Sequence, residues 1–351
     1  MRIIRGGMVA LALAATMMTH GPAVGQSPQQ ERPWYKNTWD PANVKACDRQ
    51  CLVGIAEAYL RALETKDMSA LPVAEQVIAT ENTGKIRIGT GLFWRAPVQQ
   101  TPFKIVLADP VYGQVAVQSV LNINGRPAMT AIRLHVERGM IDEVEHLYDH
   151  EVEPEAMELL QRPRPEQLAD VPEGQRSSRE ELIAIAHSYF DALTSEDGSV
   201  AAFADECVRH EQGYRTVNNH GPGRATPSPA LPNPNTELGR FFIELSQMTC
   251  KEQVDTGVFN GMKRIWPRRV LVVDEQKGLV GTFPFFIHDG TRRPLPAGAP
   301  ERPGNPIGMV LNLYTMETFG IRDGKIYEVE AFPFVEVPYG RNDGWTHPDL
   351  E

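Results

Sequence analysis

Positive charge is in short supply in this sequence: 35 Lys and Arg stand against 45 Asp and Glu, a formal net charge of −10. Binding to nucleic acid or an anionic membrane through counterion release needs clustered positive charge, so neither is an expected partner. Long apolar runs are also missing, and none approaches the ~18 residues of a membrane span. There is no G-x-S-x-G elbow, no phosphate-cradling G-x-x-x-x-G-K, no G-x-G-x-x-G and no H-E-x-x-H, which leaves a serine hydrolase, a nucleotide enzyme and a zinc protease without support. No cofactor and no metal are therefore expected. Cysteine is scarce as well, with four residues, whereas 29 Gly and 28 Pro promise long loops. With 42% hydrophobic and 23% charged residues the composition is that of a folded globular protein.

The N-terminus carries Arg2 and Arg5, then the apolar run Met8 to Met18, then the small residues Ala23-Val24-Gly25. That order predicts a signal peptide over residues 1–25 and a periplasmic or secreted protein with no membrane attachment after cleavage. In an oxidising compartment Cys47, Cys51, Cys207 and Cys250 can pair in three ways. Cys47–Cys51 with Cys207–Cys250 is preferred, since each pair then stays within one half of the chain. The close spacing of the first pair suits the frayed start of a helix.

Self-similarity is the strongest pattern. Leu52 to Glu81 aligns without a gap on Leu182 to Glu211 at an offset of 130, with Tyr59 recurring as Tyr189 and Glu81 as Glu211. Asp109 to Gly113 matches Asp274 to Gly278 at an offset of 165, and Ile141 to Glu145 matches Ile326 to Glu330 at 185. Three matches in one order indicate a duplicated domain, with copies over 40–150 and 177–340 and a polar linker over 151–176. The growing offset assigns extra residues to the second copy, chiefly the Pro/Gly-rich inserts 219–235 and 288–306, which are candidates for lids or binding loops.

Within each copy, apolar residues at helical spacing predict helices over 50–64 and 179–194, the second capped by Ser177 or Ser178. A short helix or turn is expected near Leu71 to Ala74. Strands follow, with Asn124-Gly125 and Asp323-Gly324 as hairpin turns. Helices first and an antiparallel meander after them make an α+β fold, with helices packed on one face of a bent sheet.

The segments Ala58 to Asp67, Ser188 to Asp197, Phe203 to Glu211 and Gly324 to Glu330 resemble the SnoaL-like branch of the nuclear-transport-factor-2-like (NTF2-like) superfamily. The resemblance implies two tandem NTF2-like cones, each a set of N-terminal helices on a strongly bent antiparallel sheet. It also resembles ketosteroid isomerase in particular positions. There a first-helix tyrosine stabilises a developing oxyanion and a carboxylate at the end of the first strand moves a proton. Tyr189 and Glu211 match these, as do Tyr59 and Glu81; glutamate replaces the family's aspartate. Glu317 is the candidate for the late-strand acid, and the first copy offers Arg133 nearby instead.

These residues can be read without the family. A tyrosine on an apolar helix face buries its ring and needs a partner for its hydroxyl. A carboxylate emerging from an apolar strand is pushed towards general-base values by burial. The alternative is a tyrosine and carboxylate that merely tie helix to sheet. His210 beside Glu211 is a candidate proton carrier, although neighbouring strand residues face opposite ways. Arg269, after Trp266-Pro267, is a candidate anion contact or a solvated strand start. Phe285 supplies aromatic surface for a ligand or ordinary core, and His146 and His150 read as surface histidines. The expected function is a cofactor-independent lyase or isomerase acting on a small apolar or aromatic molecule. A non-catalytic binding or assembly module is the alternative, and a water-activating hydrolase or dehydratase a third reading. The sheet faces offer a surface for a homo-oligomer.

Overall fold

A computed structural model describes residues 47–221, 234–294 and 310–346. The expected signal peptide and most of both inserts lie outside these residues. The described residues belong to one compact unit.

Helix α1 (Arg49–Thr65) starts where the Asp48 side chain accepts a hydrogen bond from the Cys51 N–H, and buries Leu52, Ala56, Tyr59, Leu60 and Leu63 along one stripe. Strands β1 (Val73–Glu81) and β2 (Gly84–Ile86), the short helix α2 (Leu92–Arg95), and β3 (Val98–Asp109), β4 (Gln114–Ile123), β5 (Arg126–Glu137) and β6 (Met140–Asp149) follow. Their sheet runs β2-β1-β6-β5-β4-β3. After a connector, α5 (Arg179–Ser195) begins at a capping box formed by Ser178 and Glu181. Then come β7 (Phe203–Glu211), β8 (Tyr214–Arg215), α6 (Glu237–Gln247), α7 (Cys250–Asp255), β9 (Arg264–Asp274), β10 (Leu279–Asp289), β11 (Val310–Arg322) and β12 (Lys325–Pro338). The second sheet repeats the first order as β8-β7-β12-β11-β10-β9.

The fold is α+β, and the second half repeats the strand order of the first. The sheets differ from the expected antiparallel form: both are mixed, because β1 runs parallel to β6 and β7 parallel to β12. A parallel neighbour needs a long crossover, and here the whole meander supplies it. The expected helix or turn near Leu71 to Ala74 gives way to β1 from Val73, so Glu81 ends a nine-residue strand. Asn124-Gly125 and Asp323-Gly324 have positive φ at both positions, as hairpin turns of this type require. The segment expected to be a linker holds α3 (Pro154–Leu159) and α4 (Pro165–Leu168). The disulfides are Cys47–Cys51 and Cys207–Cys250. They are compatible with export, and among the described residues no helix is long and apolar enough to cross a membrane.

Each sheet buries one face under its own helix, around Tyr59 in one half and Tyr189 in the other. The opposite faces pack on each other: Phe103, Ile105, Leu107 and Met129 of the first sheet share a core with Phe283, Phe285, Met316 and Phe332 of the second. The faces suggested for a homo-oligomer are thus covered within the chain. A reciprocal exchange locks this interface. Arg49 at the start of α1 pairs with Asp274 (2.9 Å), and Arg179 at the start of α5 pairs with Asp109 (2.7 Å). Asp274 also accepts the Ala108 N–H (3.1 Å) and Asp109 the Val273 N–H (3.0 Å). Every partner in one bond has its repeat counterpart in the other, which is the self-complementarity of a two-fold interface.

Candidate functional site

In both halves the tyrosine of the long helix and the glutamate ending the first strand lie on the helix-covered side of the sheet. Their surroundings differ. In the first half Glu81 lies opposite His146 in the β1–β6 register. His146 is fully buried rather than at the surface. Its Nε2 is hydrogen-bonded to the Tyr59 hydroxyl at 3.0 Å, and its Nδ1 lies 3.7 Å from Glu81 Oε2. Phe93 stacks on the imidazole with centroids 4.3 Å apart, and Trp94 meets Tyr59 edge-on. Gly91, at φ 83°, turns the chain so that the N–H groups of Leu92 (2.8 Å) and Phe93 (3.4 Å) donate to Glu81. A side chain at Gly91 would strike the carboxylate. Burial pushes the Glu81 carboxyl up, but the nearby His146 imidazole and the hydrogen bonds from the Leu92 and Phe93 N–H groups outweigh it and hold the group below the ordinary glutamate range.

In the second half Ala331 stands opposite Glu211 where His146 stands opposite Glu81. Arg209, the repeat counterpart of Ala79, supplies the partner instead. Its guanidinium lies 2.9 Å from Glu211 Oε1, donates to Thr216 Oγ1 (3.1 Å) and interacts electrostatically with Tyr189. The face of Phe259 covers it at 5.0 Å. Glu317 on β11 completes the group. It is buried, its Oε2 has no hydrogen-bond partner among the described residues, and it interacts electrostatically with Tyr189, Arg209 and Glu211. Burial raises its carboxyl to about 8 against the opposing pull of Arg209, with the charge of Glu211 adding to the rise. Glu211 is the open member, with its side chain 25% exposed. Burial pushes the Tyr189 hydroxyl, like that of Tyr59, well above the usual tyrosine range, so both are hydrogen-bonding phenols rather than phenolates.

The remaining candidates lie elsewhere. His210 projects from the other face of β7 towards Glu328, Glu330 and Arg164, and burial and nearby Arg164 and Arg215 hold it well below the usual histidine range. Arg133 and Arg269 are buried between the sheets rather than solvated, with Glu145 joining them: Arg133 Nε donates to Glu145 Oε2 at 2.9 Å and Arg269 Nη2 to Glu145 Oε1 at 2.5 Å. Glu143 and Asp343 pair with the same two arginines, and the Trp345 ring lies against both guanidiniums. Phe285 belongs to the inter-sheet core beside Tyr314. The arginine pair and Phe285 thus hold the halves together, away from the Tyr189 cluster.

Sequence reasoning missed His146 and Arg209. Both carry a retrievable signal. His146 is two residues beyond buried Val144, and strand alternation gives the two one face. Arg209 stands between Cys207 and Glu211 at the same spacing, so the disulfide to α7 marks its face as the helix-covered one.

Residues 175–333 match a family described as a domain of unknown function, DUF8021, which takes in most of the second half. No curated protein matches the chain. Among solved structures, an NTF2-like protein of unknown function from Cytophaga hutchinsonii is similar, at 16% identity over 28% of this chain and 89% of that one, with a TM-score of 0.24.

Proposed function

We propose that the second half is a cofactor-independent acid/base site, and that the protein is a lyase or isomerase for a small apolar or aromatic carbonyl compound. The observation that supports this reading most is the unequal pair of carboxylates around Arg209. Glu317 is sealed and holds its proton at neutral pH, while Glu211 is partly open and salt-bridged. A buried acid that keeps its proton beside a more open carboxylate can divide the labour of acid and base. Glu211 would remove a proton from the carbon beside the carbonyl. Tyr189 and protonated Glu317 would hydrogen-bond the oxygen as charge develops there. Arg209 sets the charge balance between the two acids.

A binding module is the second reading, favoured by the rings of Phe190, Phe203 and Phe319 that crowd Tyr189. Deuterium uptake from D2O into a panel of small aromatic ketones and esters separates the two. Acid/base chemistry predicts enzyme-dependent uptake into at least one compound, lowered about 100-fold or more by Glu211→Gln. Tight binding of panel members with no uptake, or uptake unchanged in a folded Glu211→Gln protein, would favour the binding module.

A further inference from the structure

On the opposite face of β7 and β12 from Glu211 sits a second cluster, His210, Glu328 and Glu330. All three are buried, and one imidazole nitrogen and one oxygen from each carboxylate lie within 4.8 Å of one another. Strand register explains the meeting: Glu330 lies directly beside His210 across the parallel pair, and Glu328 is one pleat away on the same face. Arg164, from the connector, bonds both carboxylates, and Gln167 Nε2 donates to Glu330 Oε2 at 3.0 Å. The bonding is incomplete. His210 Nδ1 and Glu330 Oε1 are buried with no hydrogen-bond partner among the described residues. A buried polar atom left without a partner is costly, so two in one cluster call for an explanation.

The first half shows what is added. Glu143 and Glu145 are the repeat counterparts of Glu328 and Glu330, and Arg133 and Arg269 engage them from within the sheets. Both arginines there are almost wholly buried. Thr80 stands where the second half has His210. In the second half the histidine joins the acid pair, and the arginine that neutralises it is 28% exposed and comes from a connector. A guanidinium so placed can turn out to solvent, while the three potential ligands are fixed on strands.

We propose that His210, Glu328 and Glu330 bind one divalent cation of the zinc type, in exchange for the Arg164 guanidinium. One imidazole and two carboxylates make a mixed N/O set suited to Zn²⁺, with further positions left for water or a ligand. At the usual ~2.0–2.2 Å metal–ligand distances the three groups close inwards on the ion. A divalent ion matches the two carboxylate charges that Arg164 only half balances. Mg²⁺, which prefers an all-oxygen octahedron, is the natural negative control.

The test is isothermal titration of the metal-stripped full chain with Zn²⁺ and, separately, with Mg²⁺. One saturable Zn²⁺ site per chain is expected, weakened at least 100-fold by His210→Ala and tightened at least 10-fold by Arg164→Met, which removes the competing cation. His210→Gln, nearer in size, replaces the alanine variant if that one does not fold. No saturable Zn²⁺ site in the wild type overturns the proposal, as does Zn²⁺ affinity undiminished in the folded His210 variant. Affinity unaltered in a folded Arg164→Met protein overturns the exchange with arginine.

Discussion

The two halves carry the same tyrosine and the same glutamate on the same strand and helix, yet each is neutralised differently. In the first half His146 and two backbone N–H groups hold Glu81 as a low-lying carboxylate, and the hydroxyl of Tyr59 ends on the imidazole. There Tyr59 and Glu81 both have partners, and the Glu81 side chain is 11% exposed. In the second half Ala331 leaves a gap where the histidine would be, Arg209 enters from the neighbouring strand, and Glu317 is left as a buried acid. Two exchanges, alanine for histidine on one strand and arginine for alanine on the other, accompany the change from a carboxylate held by backbone N–H groups to one paired with Arg209 beside the buried Glu317.

The largest effect that separates the halves should be chemical. Glu211→Gln is expected to cut deuterium uptake about 100-fold or more, whereas Glu81→Gln should leave it within a few-fold, because Glu81 is already spent on backbone N–H groups. Next in size is the shared interface. Asp109→Ala and Asp274→Ala each leave an arginine and a buried N–H without a partner, and each should cost on the order of 3 kcal/mol in urea unfolding. Similar losses would support the reciprocal exchange; a marked inequality would break the two-fold account. Smaller again is Tyr59→Phe, which strands the buried imidazole nitrogen and should destabilise by about 1–3 kcal/mol without touching uptake.

The pH dependence discriminates most finely. The folded Glu317 carboxyl titrates near 8, far above an ordinary glutamate. The folded state therefore binds more protons than the unfolded one in between, so this residue's contribution is fully present below the ordinary glutamate range and is lost as pH rises through about 8. Glu317→Gln should flatten that slope in unfolding curves measured from pH 5 to 9. It should also remove the alkaline fall in uptake near pH 8.

Much of this comparison was legible in the sequence. The constant offset of 130 places Tyr189 and Glu211 on Tyr59 and Glu81, and strand alternation separates His210 from Glu211. Pairing within each half was enough to choose the disulfides. What stayed hidden depends on long-range register. Nothing local tells that β1 runs parallel to β6, and without that pairing His146 has no reason to be opposite Glu81. Arg133, Arg269 and Phe285 sit on strands of suitable polarity for a pocket, but they face the partner sheet. Only the packing of the two sheets shows that the helix-covered and interface-facing sides are distinct. The reciprocal bonds of Asp109 and Asp274 were present as a matched pair in the repeat, though a match cannot show that each aspartate reaches into the opposite half.

The proposed chemistry of the second half turns on the protonation of Glu317, which is measurable without a substrate. Infrared difference spectroscopy of wild type against Glu317→Gln, followed through pH 6 to 10, reports the carboxylic acid C=O stretch of that residue directly. The predicted result is a protonated acid at pH 7 that disappears with a midpoint near 8. A carboxylate signal for Glu317 at pH 6 and above, with no acid band lost on substitution, would contradict it.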